Sequence, residues 1–194
     1  SLGVNILLEF YRLFPEKVSG IVLISGTPKN PFETMFHHNF LQVAFPIFHF
    51  AKDYIPNLAD RLWRSQGTNP INQEFVAWVG FNRKLAKRND INEYLRLTST
   101  VKFDVFANLL IDFTNYDACY WLDQVKCPTL IIGGDKDLVT PLKNQRLMHK
   151  LIQGSNIKVV RDGSHCPQLD KPDEVNALIA HFVEKEVFKK TKRK

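Results

Sequence analysis

The stretch Pro128-Thr129-Leu130-Ile131-Ile132-Gly133-Gly134-Asp135-Lys136-Asp137-Leu138-Val139-Thr140-Pro141 decides how the rest of the chain is read. Its first half is a short apolar run, rich in β-branched residues and bounded by Pro128 and Gly133. That is the pattern of a strand covered on both faces, as in a parallel sheet. Its second half is a polar turn. Thr140-Pro141 then reads as an N-cap followed by proline at the first helical position, opening a helix to about Gln153 with Gly154 as its stop.

Two further runs extend the pattern outward. Ile21-Val22-Leu23-Ile24 is equally continuous, whereas Ile157-Lys158-Val159-Val160 carries a lysine that places it nearer a sheet edge. After the third run, Pro172-Asp173-Glu174 opens a last helix with acids in its first turn, where the helix dipole favours them. Val175, Leu178, Ile179, Phe182, Val183 and Val187 recur there at the helical period. Strand, helix, strand, helix predicts one parallel sheet. At the other end, residues 3–14 read as a helix apolar on nearly every side, with Asn5, Glu9 and Arg12 as its one polar stripe and Pro15 as its end.

About 100 residues separate the first and second runs, too many for a simple crossover. The segment is rich in phenylalanine (Phe32, Phe36, Phe40, Phe45, Phe48, Phe50) and broken by Pro31, Pro46, Pro56 and Pro70. Helical patterns return at 73–88 and 91–112. We read it as an inserted helical cap. The expected division is therefore 1–28 for the first helix and strand, 29–118 for the cap, and 119–194 for the remaining core, last helix and tail.

Composition narrows the function classes. At 194 residues and 44% hydrophobic, the chain can bury a substantial core. The net charge of +6 is concentrated in Lys189-Lys190-Thr191-Lys192-Arg193-Lys194, which carries five of the positive charges, so the basicity is a solvated tail and no nucleic-acid footprint is expected. Cys119, Cys127 and Cys166 have neither CxxC nor zinc-ligand spacing, which favours free thiols in a reducing, cytoplasmic compartment. His37 and His38 are adjacent, so they diverge on a helix and read as cap surface; no metal site is expected. No run approaches the roughly 18 apolar residues that span a bilayer. Nothing in the sequence fixes an oligomeric state.

Three local patterns carry chemistry. Ser1-Leu2-Gly3 leads directly into the apolar helix, Gly134-Asp135-Lys136-Asp137 follows the second strand, and Gly163-Ser164-His165 follows the third. Each lies at the C-terminal end of a strand, or where such an end should be, the place where open α/β sheets bind ligands. A serine hydroxyl is a poor nucleophile at neutral pH and needs an imidazole to take its proton. The imidazole needs a carboxylate to fix its tautomer.

In that order and context the chain resembles the α/β-hydrolase fold family, whose nucleophile elbow reads G-x-S-x-G and whose triad runs Ser, Asp, His. Ser1-Leu2-Gly3 matches the second half of the elbow. Gly134, Asp137 and Pro141 match the acid turn, and Gly163, His165 and Pro172 match the histidine loop. Lys126 to Gly134 is similar to the strand leading to the acid. The resemblance implies a serine hydrolase with a helical cap, represented here by the C-terminal part of its sheet: about three strands with flanking helices, beginning at the nucleophile elbow. It implies Ser1 as nucleophile, His165 as base and then acid, Asp137 as its orienting partner (favoured over Asp135 by the spacing from Gly134) and the Leu2 backbone N–H as an oxyanion donor, with Gly3 letting the turn tighten. Cys166, beside His165, is expected to pack the loop.

The implied reaction is cleavage of an ester or related acyl bond of a hydrophobic small molecule through an acyl-serine intermediate, with no cofactor. Epoxide hydrolases and haloalkane dehalogenases of this fold place aspartate at the elbow, so Ser1 argues against both. Carbon–carbon bond hydrolysis, acyl transfer and a non-catalytic small-molecule receptor on the same scaffold are the alternatives. A half-sheet with an unpaired edge and uncovered apolar surface is expected to be insoluble or inactive when expressed alone.

Overall fold

The computed structural model describes residues 1–35 and 40–188. Helix α1 (Leu2–Leu13) leads into strand β1 (Ile21–Ile24). Among the described residues, five α-helices follow: α2 (Phe40–Tyr54), α3 (Pro56–Arg64), α4 (Pro70–Gly80), α5 (Arg88–Thr98) and α6 (Phe103–Thr114). Then come strand β2 (Thr129–Gly134), helix α7 (Leu142–Leu151), strand β3 (Asn156–Val160), the short helix α8 (Pro167–Asp170) and helix α9 (Pro172–Phe182), which runs on as a π-helical turn over Val183–Val187.

The three strands form one parallel sheet in the order β1-β2-β3, with Ile21 beside Thr129 and Leu130 beside Asn156. Strand β2 is buried along its whole length. Its alternate side chains explain why. Leu130 and Ile132 pack with Val175 and Phe182 of α9, while Ile131 packs on the opposite face with Leu8 of α1 and Met148 of α7. Helices thus cover both faces. Every residue of the apolar stripe from Val175 to Val187 joins this packing. Strand β3 lies at an edge and exposes Lys158, as its sequence predicts.

Helix α1 departs from its sequence reading. Asn5, on the one polar stripe, is buried and donates its Nδ2–H to the Thr27 carbonyl at 3.0 Å. The helix turns Val4, Leu8 and Tyr11 to the core, which leaves Ile6, Phe10 and Leu13 on the outside at 61%, 43% and 58% exposure. Packing against β1 set the inward face, and a helix apolar on nearly every side gives the sequence little to choose it by. The expected uncovered apolar surface is here.

Between β1 and β2 the described residues are mostly helical, with three boundaries differing from expectation. Pro46 does not break α2, which continues through it; Pro31, Pro56 and Pro70 each sit at the start of a helical turn. The helix expected over 73–88 stops at Gly80, because the backbone there turns to bond the histidine loop. The pattern over 91–112 divides at 98–102, where the hydroxyls of Thr98, Ser99 and Thr100 bond the carbonyls of Leu95, Arg96 and Leu97 and compete with the helix ladder. Trp63 Nε1 donates to the Val101 carbonyl, and the Phe103 N–H donates to Asp60, tying α3 to α6. His37, His38 and the tail 189–194 lie outside the described residues. Among the described residues, no helix is long and apolar enough to cross a membrane.

Candidate active site

All three chemical patterns meet at the C-terminal end of the sheet. Ser1 occupies the N-cap position of α1, and its hydroxyl makes no capping hydrogen bond. Its nitrogen donates to the carbonyl of Ile24, the last residue of β1, at 3.0 Å. Helix α1 can approach β1 this closely because Gly26 presses against Val4, leaving no room for a Cβ. Leu2 opens the helix, where first-turn N–H groups lack intrahelical acceptors and the dipole favours negative charge. A Cβ on Gly3 would touch nothing within 4 Å among the described residues.

The loop after β2 presents Asp137. Its Oδ1 accepts from the backbone N–H groups of Val139 and Thr140 at 2.9 and 2.8 Å, a self-made turn typical of aspartate. Its Oδ2 accepts from the Thr140 hydroxyl at 2.9 Å. Thr140 is therefore not the helix cap that its position suggests. Pro141 stands at the cap position, and Thr140 binds the carboxylate instead. Gln145, fully buried on α7, donates from Nε2 to the carbonyls of Gly26 and Thr140, which joins the β1 exit to this loop.

The loop after β3 presents His165. Its Nδ1 lies 3.1 Å from both carboxylate oxygens of Asp137. Both side chains are buried. Asp135, the rival acid, is exposed. Burial pushes the Asp137 carboxyl up, but the hydrogen bond and charge of His165, with the N–H and hydroxyl of Thr140, outweigh it and hold the group below the usual carboxylate range. An ionised partner on Nδ1 fixes the tautomer and leaves Nε2 to take a proton.

The two loops are locked together by backbone. The Asp135 N–H donates to the Val160 carbonyl, and the Lys136 N–H to that of Gly163. Gly134 lies so close to the backbone of Gly163 and Ser164 that no side chain fits between them. The left-handed residue of the histidine turn is Asp162, with φ 57°, rather than Gly163. Glycine at 163 makes room beside Val160.

Sequence reasoning missed the anchor of this loop. Buried Asp170 accepts from the Ser164 N–H at 2.6 Å and the Asn82 N–H at 2.9 Å, and its Oδ2 lies 2.6 Å from Ser164 Oγ. The Gly80 carbonyl accepts from the Cys166 N–H and lies 2.9 Å from the same Ser164 Oγ. The end of α4 is thereby fastened to the segment carrying His165. Only the bracketing Pro167 and Pro172 marked Asp170 as part of a fixed turn.

Ser1 and His165 line one cavity of about 310 Å³, together with Val22, Tyr94, Cys166 and Gln168. Burial pushes the Cys166 thiol up to about 12, so it is protonated at neutral pH and suits packing rather than chemistry. Burial also pushes the Tyr94 phenol to about 12, which keeps it a hydrogen-bond donor.

Comparison with known proteins identifies the fold. A 68-residue stretch is 34% identical to a pimeloyl-[acyl-carrier protein] methyl ester esterase of Neisseria meningitidis, covering 35% of this chain and 26% of that protein. An enzyme of the same name from Wigglesworthia glossinidia brevipalpis is 27% identical, with 95% of this chain and 68% of that protein covered. An esterase structure from Exiguobacterium antarcticum superposes with a TM-score of 0.70 at 18% identity, covering 95% of this chain and 65% of that one. The chain thus spans between about a quarter and two thirds of the length of these proteins. The profile of the alpha/beta hydrolase fold family matches residues 1–172, and with the parallel sheet and its three loops in family order, the chain belongs to that family.

Proposed function

We propose that this chain carries the nucleophile, base and acid of a serine esterase acting on a small hydrophobic ester. The observation that supports it most is His165 Nδ1 held equally by both oxygens of ionised Asp137, in a cavity that Ser1 also lines. The names of the relatives, which are esterases, favour ester over other acyl bonds.

The reading implies the following steps. Ser1 Oγ attacks the ester carbonyl carbon as its proton passes to His165 Nε2. Negative charge gathers on the carbonyl oxygen, where the Leu2 N–H at the positive end of α1 stabilises it. The carbon–oxygen bond to the alcohol breaks, and the alcohol leaves with the proton from His165. Water then attacks the acyl-serine, gives its proton to Nε2, and releases the carboxylic acid as Ser1 recovers that proton. Asp137 stays ionised throughout and stabilises the imidazolium. Helices α2 to α6 act as the cap.

A fluorophosphonate probe tests the reading. The full-length protein is expected to label and Ser1→Ala to lose the label. A folded protein that does not label, or labelling that survives Ser1→Ala, contradicts it.

A further inference from the structure

Ser1 also borders a second, smaller cavity of about 110 Å³, which His165 does not line. One wall is a single face of α6, where Phe106, Leu110 and Phe113 recur at helical spacing. Phe32 and Met35 from the turn after β1 and Val139 from the Asp137 loop close it. The wall is held firmly: the Phe106 ring stacks on Trp63 with centroids 4.1 Å apart. Most polar groups at its edge are engaged: Asn5 Nδ2 donates to the Thr27 carbonyl, the Thr27 hydroxyl to the Lys29 carbonyl, and the Thr140 hydroxyl to Asp137. Asn5 Oδ1 is buried with no partner among the described residues. The rest of the wall offers apolar contact beside the nucleophile.

Its volume sets a limit. An apolar cavity of about 150 Å³ takes benzene, with six carbons, so about 110 Å³ takes roughly four. Building on the esterase reading above, we infer that this cavity is the acyl site and that it selects short acyl chains of about four carbons, the alcohol portion lying in the larger cavity beside His165. A longer chain must displace Phe106 or Leu110, at an overpacking cost. A charged chain would lose its hydration with no ionic partner gained.

The test is kcat/KM for p-nitrophenyl acetate, butyrate, hexanoate and octanoate, on the full-length protein and its Phe106→Ala and Leu110→Ala variants, with fluorophosphonate labelling of each as a separate readout. Butyrate is expected to exceed octanoate by at least about tenfold. Each variant is expected to raise the octanoate-to-butyrate ratio by about tenfold while still labelling. Wild-type preference for octanoate, or a ratio indifferent to both substitutions in proteins that label, overturns the acyl-site assignment and leaves the serine reading standing. Wild-type protein that is folded and does not label overturns both.

Discussion

The Thr140 hydroxyl donates to Asp137 Oδ2 at 2.9 Å, and the same oxygen atom of Thr140 lies 3.4 Å from His165 Nδ1. The threonine thus sits at the joint between acid and base and restrains how the carboxylate faces the imidazole. Removing one hydrogen bond to a charged group costs about 1.5–3 kcal/mol. If that is felt in the transition state, Thr140→Val lowers kcat by about tenfold or more with KM little changed. Thr140→Ser restores most of it, since only the hydroxyl matters. Equal kcat for Thr140→Val and wild type contradicts this positioning role.

Asp170 makes a separate prediction about stability. Asp170→Ala leaves the Ser164 and Asn82 N–H groups without their acceptor, while the Ser164 hydroxyl keeps the Gly80 carbonyl at 2.9 Å. At about 1–3 kcal/mol for each such group, the loss is on the order of 2 kcal/mol or more. Urea unfolding measures it. A midpoint shift worth under about 1 kcal/mol would show that the loop does not depend on this carboxylate.

The sheet was readable because each of its strands announces itself in a few residues. Thr129 to Ile132 can only be a covered strand, and Lys158 correctly marks the edge strand. The Asp137–His165 pairing was readable from the resemblance of the turns at Gly134 and Gly163 to the family's acid and histidine loops, although Gly163 serves space rather than backbone conformation. What escaped was whatever depends on partners far along the chain. Asn5 looks solvated until Thr27 accepts its hydrogen bond 22 residues away. Asp170 looks like a surface acid until Asn82, 88 residues distant, donates to it. Thr140 has the local signature of a cap, and tertiary contact redirects its hydroxyl.

The depressed Asp137 carboxyl couples stability to pH. Its ionised form is favoured by folding, so its contribution is full above the ordinary carboxylate range and disappears as pH falls through the lower folded value. Asp137→Asn lacks that contribution. The gap in unfolding free energy between wild type and Asp137→Asn should therefore be widest near neutral pH and close as pH drops below about 4. A gap constant from pH 7 to 3, followed by urea unfolding at each pH, rules out the coupling.

Gly134→Ala directs a side chain into the backbone of Gly163 and Ser164. Neither segment can yield without parting the loops that carry Asp137 and His165. The variant should lose at least about 2 kcal/mol of stability, and any folded fraction should lose esterase activity out of proportion. Wild-type activity in a folded Gly134→Ala protein would mean that the loops separate freely.

The central claim is that Ser1 is the nucleophile and that the Asp137–His165 pair activates it. The most direct measurement maps a fluorophosphonate adduct by peptide mass spectrometry and times its formation in wild type, His165→Ala and Asp137→Asn. The adduct is predicted on the Ser1 hydroxyl, forming about 10³-fold or more slowly in both variants. An adduct on another residue of the folded protein, or rates that do not change when His165 and Asp137 are replaced, would contradict the account.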